Sequence, residues 1–214
     1  IVLDYTKRIP PSALKAADVV GVSRYLSWLP GSDWKVITNP EYNELIAAGI
    51  EVTLNWEFQA NDWMGGASAG ASHATEAVRQ ANKLGYLAGK VIVGSADFDM
   101  TRAQWNSAGR GYASAFADGI RQAHYRPGVY GPYDVLQWVK DAGFMDAFWQ
   151  AGMSTAWSGG RNRSQFPGAH FIQRAHKTVG GVDTDWNQIL IQPLWGTKEK
   201  EIMDRIAEVT LPDK

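Results

Sequence analysis

Six acidic residues stand where short apolar or β-branched runs end: Asp4 after Ile1-Val2-Leu3, Glu57 after Val52-Thr53-Leu54-Asn55-Trp56, Asp97 and Asp99 after the run 91–96, and Asp183 and Asp185 around the run 181–185. Aspartate is disfavoured inside strands and costly to bury, so its recurrence at these ends carries information. Each acid alone suits a helix cap or a loop tie. Gathered in one cleft, they raise some of each other's pKa values, which keeps one carboxyl protonated near neutrality beside an ionised neighbour. Glycosidic bond cleavage uses such a pair. Period-two alternation puts Asp97 and Asp99 on one side of a strand with Phe98 on the other. Asp183 and Asp185 share that spacing, although Gly180-Gly181-Val182-Asp183-Thr184-Asp185 also suits a turn with local Asx hydrogen bonds.

Flat aromatic faces stack on sugar rings, and the chain has 10 tryptophans in 214 residues. Tyr5 adjoins Asp4, Tyr25 and Trp28 follow the second run, and Trp56 adjoins Glu57. Tyr130, Trp149 and Trp186 lie near other run ends. Tyr5, Tyr25, Trp56, Tyr130, Trp149 and Trp186, with Gln173 and Asp185, are the expected substrate-binding set; core filling is the alternative for each aromatic. Trp105 and Trp138 fall on helical stripes and read as packing residues. Oxygen ligands of this kind also suit calcium or magnesium, but no EF-hand loop is present. His73, His124, His170 and His176 lack HExxH spacing, and no GxSxG elbow occurs. Without cysteine there are no disulfides, thiolate metal sites or cysteine nucleophiles. Neither a metal nor a cofactor is expected.

The elements that must position these groups alternate along the chain. Runs at 2–5, 19–25, 50–58, 90–96, 128–131, 147–150, 169–173 and 181–185 read as strands. Between them, Pro10-Pro11-Ser12 and Asn39-Pro40-Glu41 read as helix starts, the latter helix ending at Gly49. A Gly/Ala/Ser-rich loop at 65–72 precedes a helix carrying Ala74, Ala77, Val78, Ala81 and Leu84. Thr101 and Gln104 form a capping box for a helix with a buried stripe of Trp105, Ala108, Tyr112, Ala115, Phe116 and Ile120. A further helix covers 133–142. This order predicts an α/β protein, a compact (β/α)8 TIM barrel of eight parallel strands with shortened connections in the last third. An open doubly wound sheet would need a GxGxxG or GxxxxGK[ST] turn, and neither occurs. Catalytic groups of a barrel project from the C-terminal strand ends, where these acids lie.

Lys plus Arg number 21 and Asp plus Glu 22, and the net charge of -1 exerts no global pull toward nucleic acid or an anionic membrane. No apolar run approaches the roughly 18 to 20 residues that span a bilayer. One domain is expected over 1–195. The segment 196–214, with a weak amphipathic pattern at Ile202, Ile206 and Val209, reads as a linker, an appended helix or a helix closing the barrel, and a contact to further domains or an assembly would run through it.

The motifs Leu3-Asp4-Tyr5, Lys35-Val36-Ile37-Thr38-Asn39-Pro40-Glu41-Tyr42, Ala96-Asp97-Phe98-Asp99, Pro127-Gly128-Val129-Tyr130-Gly131, Phe148-Trp149-Gln150 and Val182-Asp183-Thr184-Asp185-Trp186-Asn187 occur in a familiar order. Together with Glu57 after the third strand, this order resembles the glycoside-hydrolase-like domain of actinobacterial secreted proteins and their phages, a family named after a domain of unknown function. That domain is similar to glycoside hydrolase family 25 lysozymes, and the resemblance spans 2–190. It implies a muramidase acting on peptidoglycan, outside the cell, at the wall or in a phage particle. Its carboxylates at the ends of the first, fourth and last strands correspond to Asp4, Asp97, Asp99 and Asp183. The lysozymes carry Asp-x-Glu on the fourth strand, with glutamate as general acid, where this chain has Asp97-Phe98-Asp99. A displacement of about 1 Å can cost on the order of 100-fold in rate. The acid is then Asp99 on a shifted backbone or Glu57, or the domain binds wall glycan without cleaving it. A purely structural barrel used for assembly is a further alternative.

Overall fold

The computed structural model describes residues 1–191, and the expectations for 196–214 lie outside the described residues. Eight strands close in chain order: β1 (Val2–Asp4), β2 (Gly21–Leu26), β3 (Glu51–Trp56), β4 (Val91–Ser95), β5 (Arg126–Gly131), β6 (Ala147–Gln150), β7 (Phe171–Val179) and β8 (Val182–Ile189). The helices are α1 (Pro11–Ala16), α2 (Asn39–Ala47), α3 (Gly66–Leu84), a single turn α4 (Arg102–Gln104), α5 (Arg110–Gln122) and α6 (Tyr133–Asp141). This is the expected closed α/β barrel.

The direction of the last strand is corrected. Strands β1 to β7 run parallel, but β8 pairs antiparallel with both β7 and β1. The cause is the turn: only Gly180 and Gly181 separate β7 from β8, both at positive φ (58° and 77°). A parallel return needs a crossover of a dozen or more residues, whereas a two-residue turn with left-handed backbone makes a hairpin. Since β8 descends, its first residues lie above the barrel mouth and its last lie at the foot.

The Gly/Ala/Ser stretch expected as a loop is instead the first turns of α3. Its small residues let α3 approach α5 closely. A Cβ on Gly70 would lie 2.4 Å from the Tyr112 carbonyl oxygen, and one on Gly119 2.6 Å from the Ala74 Cβ. The Thr101–Gln104 capping box forms as expected. A π-helical segment, Trp105–Gly109, then shifts the phase of the buried stripe, so Ala113 and Ala117 are buried while Ala108 and Ala115 are only half-buried.

Inside the barrel, Val2, Val91, Val93, Ala147, Trp149 and Phe171 fill the lower layers. Gly128 makes room there, since a Cβ would meet Val91 Cγ1 at 2.8 Å. The larger core lies between strands and helices, and it contains Trp56, Trp63, Tyr112 and Phe116.

Candidate active site

Strand alternation decides which side chains enter the barrel. Asp4 pairs in register with Asp185 across the β1–β8 seam, and Tyr25 pairs with Asn55 across β2 and β3. Tyr130 pairs with Trp149 across β5 and β6. These six line one cavity at the C-terminal strand ends, of about 90 Å³, together with Glu57, Asp97 and Gln173. Among the described residues, no three His, Asp or Glu side chains are grouped so as to hold a metal ion.

Asp4, at the end of β1, is a buried lining residue of this cavity. Asn187 Nδ2 donates to its Oδ2 at 2.7 Å, and Asn187 Oδ1 accepts from Trp149 Nε1 at 2.7 Å, so one amide ties β1, β6 and β8 together. The Tyr25 hydroxyl stands 3.4 Å from Asp4 Oδ1. Burial, followed by the Asp185 charge, pushes the Asp4 carboxyl up to about 8, against the opposing Asn187 hydrogen bond. This carboxyl holds its proton at neutral pH.

Glu57 follows β3 and is half-buried. Lys35 Nζ, itself buried, pairs with its Oε1 at 3.2 Å. Burial raises the Glu57 pKa and Lys35 opposes the rise. The loop behind Glu57 is pinned by Asp62, whose carboxylate accepts the Phe58 and Gln59 backbone N–H groups at 2.8 and 3.1 Å. Asp97, in the loop after β4, is also raised, chiefly by burial; the nearby Tyr130 hydroxyl opposes the shift and the Asp185 charge adds to it. The Tyr130 hydroxyl donates to Gln173 Oε1 at 3.0 Å, and Gln173 Nε2 donates to Asp185 Oδ2 at 2.8 Å. His176, exposed on the rim, contacts the other Asp185 oxygen at 2.5 Å. The cavity thus offers a protonated carboxyl, further carboxylates and a chain of amide and hydroxyl groups.

Other expected site residues lie elsewhere. Asp99 is exposed and turned to a neighbouring cavity, where its Oδ1 accepts the Ser158 N–H at 2.8 Å. The strand ends at Ser95, so the alternation invoked for Asp97 and Asp99 does not extend to them. Asp183 lies on the exposed hairpin arm and accepts from Thr178 Oγ1 at 3.1 Å, because β8 enters from above. Tyr5, Trp56 and Trp186 face outward, each next in sequence to an inward acid. Tyr5 packs under the Arg24 guanidinium, Trp56 against Trp28 and His73, and Trp186 under Lys177. Trp105 and Trp138 pack on each other, with ring centroids 5.8 Å apart.

Asn55, Asn187, Lys35 and His176 were not among the expected site residues. For Asn55 the signal was present: Thr53, Asn55 and Glu57 alternate with Val52, Leu54 and Trp56. Asn187 follows Asp185 at the same spacing. Lys35 lies in a long loop and carries no such signal.

Residues 12–190 match the sequence profile of the family described as Rv2525c-like, glycoside hydrolase-like domain. Rv2525c of Mycobacterium tuberculosis, provisionally described as a peptidoglycan hydrolase, is 31% identical over 204 residues, covering 91% of this chain and 82% of that protein. Two crystal structures of the Tat-secreted Rv2525c, in complex with HEPES and with L-tartrate, align with TM-scores of 0.79 and 0.80 at 30% and 29% identity. The alignments cover 88% and 89% of this chain and 94% and 95% of those. The modular autolysin LytC of Streptococcus pneumoniae, in complex with a synthetic peptidoglycan ligand, shares the fold at a TM-score of 0.57 and 12% identity, over 87% of this chain and 45% of that one. Profile match and identity together show that the chain belongs to the Rv2525c-like glycoside hydrolase-like domain family.

Proposed function

We propose that the chain hydrolyses the glycan backbone of bacterial cell-wall peptidoglycan or a related aminoglycan. The observation that carries this reading is the convergence of Asp4, Glu57, Asp97 and Asp185 on one cavity at the C-terminal strand ends. Glycosidic cleavage needs a proton donor and an ionised carboxylate flanking the bond. Asp4, protonated at neutral pH, is the donor in this reading, and Asp97 the ionised partner. Glu57, paired with Lys35, adds fixed negative charge opposite the developing oxocarbenium ion. A volume of about 90 Å³ is too small for a whole sugar ring, so the chain lies across the mouth with its reacting bond over the cavity. The Tat-secreted relative supports a place outside the cytoplasm, at the wall, over a phage particle.

Reducing-end release from peptidoglycan and from chitooligosaccharides tests the reading. Asp4→Asn, Asp97→Asn and Glu57→Gln are each expected to lower release by about 100-fold or more. Asp183→Asn is expected to stay within about twofold of wild type, because surface changes away from such features have small effects. Full activity in all three cavity variants refutes the proposal. A second reading, a wall-binding module without turnover, is favoured by Asp99 facing away, which leaves the Asp97-Phe98-Asp99 turn one carboxylate in the cavity. Sedimentation with cell walls and no release of reducing ends would select it.

A further inference from the structure

The turn Asp97-Phe98-Asp99 walls two cavities. Asp97 lines the small carboxylate pocket, and Asp99 lines a second cavity of about 380 Å³ with Arg102, Asp134, Trp138, Ser158 and Arg161. Consecutive Cα atoms are about 3.8 Å apart, so the two walls stand within about 8 Å of each other. Internal pairing uses up part of the second cavity's charge. Arg161 Nη2 pairs with Asp134 Oδ1 at 2.5 Å, and Ser158 Oγ accepts the Asp134 N–H at 3.0 Å. Asp99 spends one oxygen on the Ser158 N–H. Arg102 lies over the Trp138 ring, 5.2 Å from its centroid, and makes no ion pair among the described residues. The Arg102 guanidinium and the second oxygens of Asp99 and Asp134 therefore remain in the cavity that Trp138 also lines.

A simple anion would meet Asp99 and Asp134, and a simple amine would meet Arg102 and Arg161. A group carrying both charges meets a partner for each. We propose that this cavity is a subsite for a zwitterionic amino-acid group of the substrate, its carboxylate on Arg102 and its ammonium on Asp99. Planar bidentate recognition of carboxylate suits arginine, and the aliphatic stem of such a group packs on Trp138. In peptidoglycan, the free end of a diamino-diacid side chain in the stem peptide has this chemistry. The choice of ligand rests on the wall-glycan reading above; the charge pattern does not.

Calorimetric and amide-NMR titrations test it with three stem tetrapeptides. One contains diaminopimelate, one its side-chain carboxamide, and one lysine in its place. The wild-type protein is expected to bind the first about tenfold or more tighter than the others, with shifts at residues 99–102, 134–138 and 158–161. Arg102→Gln is expected to remove the preference over the carboxamide. Asp99→Asn, whose amide oxygen still accepts the Ser158 N–H, is expected to weaken binding of all three. Equal binding of the three peptides by wild type, shifts confined to other surfaces, or a preference that survives Arg102→Gln overturns the subsite. The peptides contain no glycosidic bond, so a protein that binds them selectively without releasing reducing ends keeps the subsite and loses only the hydrolase reading. Release of reducing ends without peptide preference does the reverse.

Discussion

Asp4 couples the cavity to stability. Its carboxyl is held near pH 8 in the folded chain, against 3.8 for the free group. Between those values the native chain holds a proton that the unfolded chain has lost, so the contribution is full below about pH 4 and disappears as pH rises through about 8, with a slope of at most about 1.4 kcal/mol per pH unit. Urea denaturation from about pH 5 to about pH 8 should show wild type losing stability relative to Asp4→Asn; parallel curves would mean that Asp4 titrates as a free carboxyl. The proposed donor role of Asp4 predicts that reducing-end release falls above about pH 8 as its carboxyl ionises. Asn187→Ala removes the amide that opposes the Asp4 shift and leaves Trp149 Nε1 unpaired, at about 1–3 kcal/mol by denaturation. At this scale the strand ends were legible, but the alternation applied to Asp97 and Asp99 and to Asp183 and Asp185 brought only Asp97 and Asp185 to the cavity, because β4 stops at Ser95 and β8 enters from above. Asp4, Glu57 and Asp185 follow alternation inward, and Tyr5, Trp56 and Trp186, chosen for adjacency to those acids, follow it outward. Next-door residues on a strand face opposite ways, so adjacency was the wrong criterion.

Among elements, α3 sets local propensity against packing. Alanine in place of Gly70 should gain about 1 kcal/mol of helix propensity. The added Cβ would stand 2.4 Å from the Tyr112 carbonyl oxygen, a backbone atom of α5 that cannot swing aside. Overpacking of this kind costs about 1–3 kcal/mol, so Gly70→Ala should destabilise by denaturation, and a gain would mean that α3 shifts freely on α5. Composition alone pointed to a loop at 65–72, because glycine marks loops unless a neighbouring helix needs its missing side chain. Strand order was legible from alternating periodicity, but the direction of β8 was missed although Val179-Gly180-Gly181-Val182 spells out a hairpin. The count of eight strands favoured a uniform parallel barrel over that local rule.

At the scale of the whole molecule, a buried ion pair fastens the strand layer to the helical layer beside the cavity. Arg24 on β2 binds Glu41 on α2 through two nitrogens, at 2.6 and 3.1 Å, and its Nη1 donates to the Tyr5 and Lys35 carbonyl oxygens. The first carbonyl belongs to the residue after Asp4, and the second to the lysine that faces Glu57. Arg24→Met leaves Glu41 charged and alone, at about 3–5 kcal/mol, and pairing it with Glu41→Leu should recover most of the loss in urea denaturation. Sequence patterns found each partner's element but not the pair, which depends on how α2 lies across the sheet. The descending β8 also fixes traffic around the barrel. Ile1 precedes β1 and Ile191 follows β8, so both sit at its base, opposite the mouth. A cargo or anchor grafted at Ile1 would hold the domain by its heel and leave the opening clear.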